Sequence, residues 1–211
     1  MAVGDPLRVR TAHRSVADRH ETYVAEIQQF IDATYRVIER TGDVDPTMRD
    51  ILREAGLSTP AFYRHFRSKD ELFVVILDDG RRRLVSTIER RLARETTGRG
   101  RIRAWVRAVL AQASDADAAA RTRPFVANID RLVARYPEEY RESESLLAEQ
   151  LAGIISEADD LESDDPVRDA MAIYHLAFGA LAWHLRNRTA PSAADIDRIV
   201  SFALRALAVA G

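Results

Sequence analysis

A chain of 211 residues with 46% hydrophobic and 30% charged residues can bury a sizeable core in one domain or two small ones, which excludes wholesale disorder. Having no cysteine, it can form neither disulfides nor thiolate metal sites, and no apolar run is long enough to span a membrane. The net charge of −2 excludes a chain that is basic overall, but nucleic-acid binding needs only a local basic face, and Lys69 is the only lysine in a positive set otherwise made of arginine.

Apolar residues recur at helical spacing throughout, and no stretch alternates long enough for a strand, so an all-α fold is expected. Residues 1–16 read as a flexible arm whose Arg8, Arg10 and Arg14 are solvated, with no apolar stretch to act as a signal peptide. A helix is expected from about Asp18 to Thr41, with Ile27, Phe30, Ile31, Thr34, Val37 and Ile38 on one face and Gly42 as its stop. Thr47, with Asp50 three residues on, caps a short helix that buries Met48, Ile51, Leu52 and Ala55. Gly56-Leu57-Ser58 makes a tight turn, and Thr59-Pro60 opens a second short helix that ends near Phe66.

Ser68-Lys69-Asp70-Glu71 is a capping box for a long helix reaching about Glu95, with Gly80 marking a bend and Arg81, Arg82 and Arg83 forming a solvated face. Thr96 to Gly100 reads as a loop. Further helices are expected near 101–113, 120–135, 137–160, 166–188 and 192–209. The last two are apolar on more than one face, which suggests a second face buried against another subunit.

Two short helices joined by a glycine turn at 47–66 form a helix-turn-helix pattern. The second helix must offer small or polar side chains to a major groove, and Thr59, Pro60, Ala61 and Arg64 fit that role. Phe62 and Phe66 are expected to face inward. Ser58, Tyr63 and His65 stand at the flanks, where a hydroxyl, a phenol or an imidazole can meet phosphate oxygens. Lys69, at the start of the next helix, suits a phosphate seat, and Thr47 and Arg49 suit a clamp on the other side. Arg64 is the one long donor of the reading helix and the candidate for a guanine contact.

From Glu26 to about Leu77 the sequence resembles the N-terminal domain of TetR-family regulators. The run from Gly56 through Ala61-Phe62-Tyr63-Arg64-His65-Phe66 to Ser68-Lys69-Asp70-Glu71-Leu72 carries the likeness. Leu52 stands where the family commonly has alanine, and Pro60 where glycine is frequent. The resemblance implies a DNA-reading domain, a homodimer joined through its last two helices, and a divergent domain that binds a small molecule. On that basis residues 17–68 are expected to form the helix-turn-helix DNA-binding domain and residues 69–211 the helical ligand-binding and dimerisation domain. The implied function is a dimeric repressor released from a palindromic operator by an apolar or amphipathic small molecule.

Trp105, Val109, Phe125, Ile129, Leu147, Leu151, Tyr174 and Phe178 are the candidates to line its cavity, although each is also what a helical core requires. The five histidines do not cluster at ligand spacing, and no nucleophile elbow, phosphate loop or spaced carboxylate pair occurs. The expectation is therefore a cytoplasmic, non-enzymatic protein with no cofactor and no metal, whose partners are double-stranded DNA, its own second copy and an effector.

Overall fold

The computed structural model describes the backbone of residues 6–207 and the side chains of residues 20–207. Among these residues there are nine helices and no strand: α1 (Pro6–Thr41), α2 (Met48–Ala55), α3 (Thr59–His65), α4 (Lys69–Leu92), α5 (Gly98–Ser114), α6 (Ala116–Arg135), α7 (Pro137–Glu157), α8 (Pro166–Asn187) and α9 (Ala193–Ala206).

Most of the segment expected to be a loose arm is instead the first part of α1. Proline at a first helical position is favourable, and nothing between it and Thr41 breaks the helix, so propagation continues. The side chains of Arg8, Arg10, His13 and Arg14 lie outside the described residues. From Phe30 onward α1 buries the expected stripe, and the buried Thr34 hydroxyl donates to the Phe30 carbonyl at 2.8 Å.

Two further expectations are corrected. Residues 98–100 belong to α5 rather than to a loop: the Thr97 hydroxyl accepts from Gly100 N at 3.0 Å, and Asp160 accepts from Gly98 N at 2.7 Å and Arg99 N at 3.1 Å. Three of the free N–H groups at that helix start are thereby satisfied, two of them by a residue far along the chain. Gly80 does not interrupt α4, which runs unbroken to Leu92.

The helices enclose two apolar cores. The first gathers Phe30, Ile51, Phe62, Phe66, Phe73 and Ile76, and receives Phe125 and Leu132 from α6. The second gathers Ile88, Trp105, Leu147, Leu151, Tyr174, Leu181 and Val200. Helix α6 serves both, since its Ala119 lies in the second core. Helix α4 also spans both, through Phe73 and Ile76 in the first and Leu84 and Ile88 in the second, so the first three helices and the later bundle are joined through two elements.

Candidate nucleic-acid interface and internal cavity

Local chemistry sets the geometry of α2 and α3. Thr47 Oγ1 accepts from Asp50 N at 3.2 Å and donates to Asp50 Oδ2 at 2.6 Å, which starts α2. Gly56 ends it with φ 66°, in the left-handed region where a residue without Cβ pays no steric penalty. Ser58 then caps α3, its hydroxyl accepting from Ala61 N at 3.3 Å. Phe62 and Phe66 anchor the helix, each meeting Phe30 edge-on, with centroids 5.3 and 5.9 Å apart. Edge-to-face contacts of this kind fix orientation as well as burying area. The Tyr63 side of α3 therefore faces outward, and Thr59, Pro60, Tyr63 and Arg64 are all exposed.

The expectation for Ala61 and His65 is corrected. Residues 61, 62, 65 and 66 form two i,i+4 pairs on one side of α3, and that side is the packed one. Ala61 is buried. The His65 side chain is 1% exposed, its ring meets Tyr23 at 4.3 Å, and its Nε2 lies 2.5 Å from Glu26 Oε2. An imidazole so enclosed orients α3 against α1 and has no path to a phosphate.

Glu26 is a site residue that the motif alone did not reveal. Its carboxylate also receives Arg64 Nη2, at 3.0 and 2.9 Å. His65 first and Arg64 second hold the Glu26 carboxyl below its ordinary range. Arg64 remains largely exposed, so its tip is tethered at the surface rather than withdrawn.

Lys69 is likewise engaged. Its Nζ donates to Asp45 Oδ1 at 2.7 Å and to the Pro46 carbonyl at 3.1 Å, which ties the α1–α2 loop to the start of α4. This changes the expected phosphate seat: the ammonium is neutralised by Asp45 in the unbound protein. Arg131 of α6 reaches the same carboxylate at 3.0 Å, and Asn128 Nδ2 donates to Val44 O at 2.9 Å. Burial raises the Asp45 carboxyl, but the bonds from Arg131 and Lys69 outweigh it, and the group sits below its ordinary range. The Ser68 cap holds, while the reciprocal Glu71 carboxylate accepts from Arg67 N rather than from Ser68 N.

The exposed members of the expected interface are Thr47, Arg49, Ser58, Thr59, Pro60, Tyr63 and Arg64. The hydroxyls of Thr47 and Ser58 are already occupied by their caps. Arg67, in the turn between α3 and α4, is exposed beside them and adds a cation that the sequence reading passed over.

A cavity of about 600 Å³ lies between α1, α4, α5, α6, α7 and α8. Of the eight expected lining residues, Phe125, Ile129, Tyr174 and Phe178 line it. Trp105, Val109, Leu147 and Leu151 do not; they are fully buried in the second core. Trp105 instead backs the wall, with its ring 6.5 Å from Tyr174 and 6.4 Å from Phe178. Further apolar wall comes from α4, through Ile76, Leu77 and Leu84, from α6 through Val126 and from α8 through Leu181. Tyr35 adds a phenol whose pKa is pushed up to about 12, chiefly by burial and then by Asp79.

Arg81 also lines this cavity and is only 6% exposed, which corrects its reading as part of a solvated face. Arg82 and Arg83 are exposed as expected, pairing with Asp78 and Asp79 one turn back, although Arg83 also borders the cavity. Among the described residues no group of histidines, cysteines and carboxylates could hold a metal, and no helix is long and apolar enough to cross a membrane.

Residues 30–76 match the family model of bacterial regulatory proteins, tetR family. Over 90 residues, 43% of this chain, the sequence is 33% identical to the HTH-type transcriptional activator FasR of Mycolicibacterium smegmatis, and the match spans only 37% of that protein. The fold is similar to that of a TetR transcription regulator from Haloarcula marismortui, with a TM-score of 0.65 at 19% identity, over 87% of this chain and 98% of that one. It is also similar to FadR from Bacillus subtilis, crystallised with stearoyl-CoA, with a TM-score of 0.63 at 16% identity over 84% and 97% of the two chains.

Proposed function

Because this chain belongs to the tetR family of bacterial regulatory proteins, we propose that it is a dimeric, sequence-specific DNA-binding repressor released from a palindromic operator by an apolar or amphipathic small molecule. Residues 17–68 would read DNA, and residues 69–211 would bind the effector and dimerise. The observation that carries the reading is the pinned α3. Its inward side is locked to α1 by Phe62, His65 and Phe66, and its outward side offers Thr59, Pro60, Tyr63 and Arg64 to a groove.

Dimerisation is supported by the outer faces of α8 and α9. Ala172, His175, Gly179 and Trp183 repeat at three- and four-residue spacing along the exposed side of α8, and Trp183 and Phe202 are each more than half exposed. Small residues beside a large aromatic suit close helix packing, and an unpaired apolar stripe suits a symmetric partner. Two reading helices would then meet half-sites about one DNA turn, roughly 34–36 Å, apart.

The cavity supports the effector. It touches α4, whose first turn Lys69 fastens to the α1–α2 loop, and α6, whose Arg131 and Asn128 hold that same loop. An occupant that favours one arrangement of α4 and α6 therefore biases how α3 is presented. The B. subtilis structure that holds stearoyl-CoA supports an amphipathic occupant for this architecture.

A second reading, activation, draws on the M. smegmatis relative's being named an activator. The fold serves either sign, depending on where the operator lies. Selection of bound DNA from a random pool, followed by in vitro transcription from the promoter carrying that sequence, tests both. Recovery of an inverted repeat with reduced transcription supports the repressor, an inverted repeat with increased transcription supports the activator, and no enriched sequence refutes both.

A further inference from the structure

Arg81 sits inside the cavity with no carboxylate within ion-pair distance among the described residues. Its guanidinium is held rather than free: Nη1 donates to the Tyr140 carbonyl at 3.2 Å, Nη2 donates to the Tyr174 hydroxyl at 3.3 Å, and the Tyr140 ring lies 4.4 Å below. A guanidinium carries five N–H donors, so these two bonds leave three unused. A desolvated cation without a counter-charge is unfavourable unless something in the site compensates it.

The neighbouring charges point the same way. Four arginines line the cavity, Arg81, Arg83, Arg121 and Arg186, against one carboxylate, Glu144. Arg83 and Arg121 are satisfied by Asp79 and Glu39 at 2.8 Å each, which leaves Arg81 as the buried member of the set with no direct carboxylate partner, Glu144 meeting it only through the Tyr174 hydroxyl.

We propose that Arg81 is the recognition group for an anion, and that the cavity takes an amphiphile whose carboxylate pairs with this guanidinium while its apolar chain lies against Ile76, Leu84, Phe125 and Ile129. The fork geometry of guanidinium suits a planar carboxylate, and the side of the cavity formed by Ile76, Leu84, Phe125, Val126 and Ile129 offers an apolar surface to the rest of the molecule. The assignment rests on the cavity being the effector site.

The test compares three probes of one chain length, dodecanoate, dodecan-1-ol and dodecyltrimethylammonium, by isothermal titration into the full chain at neutral pH. Dodecanoate is expected to bind at least tenfold more tightly than the alcohol, and the ammonium weakest. Arg81→Met, with its fold checked by circular dichroism, should weaken dodecanoate by about ten- to hundredfold and leave the alcohol nearly unchanged, and Arg81→Lys should recover part of the loss.

A merely structural Arg81 would not discriminate by probe charge, and the wild-type comparison needs no variant. Equal binding of alcohol and carboxylate overturns the anion assignment, even if both release operator DNA and so uphold the effector reading. Arg81-dependent binding of dodecanoate with no change in operator affinity leaves the anion site standing and removes its regulatory role. Failure of all three probes to bind overturns both.

Discussion

Lys69 and Asp45 form an ion pair at 2.7 Å, and the carboxylate that holds the chain's single lysine also holds Arg131 of α6. The group best placed to meet a phosphate from the start of α4 is thus neutralised until DNA or a rearrangement of the loop displaces Asp45. Asp45→Asn should free it. The expected outcome is tighter DNA binding at low salt and a slope of log K against log salt steeper by about 0.9, the release expected for one added phosphate contact. Fluorescence anisotropy over a salt series checks this, and an unchanged slope would place Lys69 off the DNA.

Glu26 makes the corresponding bond to Arg64. Glu26→Gln keeps the shape of the side chain and removes its charge, so Arg64 gains freedom to reach a base edge. Affinity for the selected operator should rise severalfold, and Arg64→Ala should relax choice at one base position, worth roughly 1–3 kcal/mol of discrimination. Tyr63→Phe should instead weaken all sequences alike. Should Arg64→Ala leave the selected sequence unchanged, the reading face has been assigned to the wrong residue.

Acid sensitivity follows from the same carboxylates. Glu26 is held below its ordinary 4.5 by His65 and Arg64, Glu54 below 4.5 by Arg40 and Arg36, and Asp160 below 3.8 by the N–H groups of Arg99 and Gly98. A depressed carboxyl stabilises the fold above its unfolded pKa, and that contribution disappears as pH falls through the lower folded value. Urea denaturation should therefore give similar midpoints at pH 7 and 5.5 and a decline from about pH 4.5 downward, with Glu26→Gln flattening the decline.

Gly98 occupies a position that admits no larger residue. A Cβ there would lie 2.3 Å from Ala158 Cβ and 2.6 Å from Asp160 Oδ1, and the first of these neighbours cannot swing aside. Gly98→Ala should lower stability by about 1–3 kcal/mol through overpacking. Equilibrium unfolding measures this, and Gly153→Ala, where no atom lies within 4 Å, serves as the control.

Trp183 tests the proposed dimer. Trp183→Arg places a charge at the C-terminal end of the exposed α8 stripe and should yield a monomer in sedimentation velocity without loss of helicity. Operator affinity should fall with it, since two half-sites no longer bind as one unit. A variant that stays dimeric would move the interface elsewhere.

The helix-turn-helix was legible because its signals are local. Thr47 as cap, Gly56 in its left-handed turn, Ser58 before Thr59-Pro60, and Phe62 with Phe66 four apart all lie within twenty residues. The same periodicity carried the warning about His65, which is four residues beyond Ala61 and so shares its side of α3. Reading the two as functional because of their residue types overrode the geometry.

What could not be read were contacts between distant parts of the chain. Nothing near Lys69 indicates that it and Arg131 converge on Asp45, and nothing near Arg81 separates it from Arg82 and Arg83. The cavity divides its candidates on the same ground. Trp105 and Phe178 are equally apolar in sequence, and only the packing of α5 behind α8 sends one to the core and the other to the wall.

Phe125 belongs to the first core, 5.9 Å from Phe73, and its ring also faces the cavity. The partition between the cavity and the first core is therefore one benzene ring thick at that point. In a close-packed interior a displaced ring cannot be absorbed gradually, so transmission becomes a matter of steric threshold. On the proposed reading, a guest that stops short of Phe125 would fill space and remain silent, while one a few atoms longer would press on Phe73, and chain length would then divide silent guests from inducers.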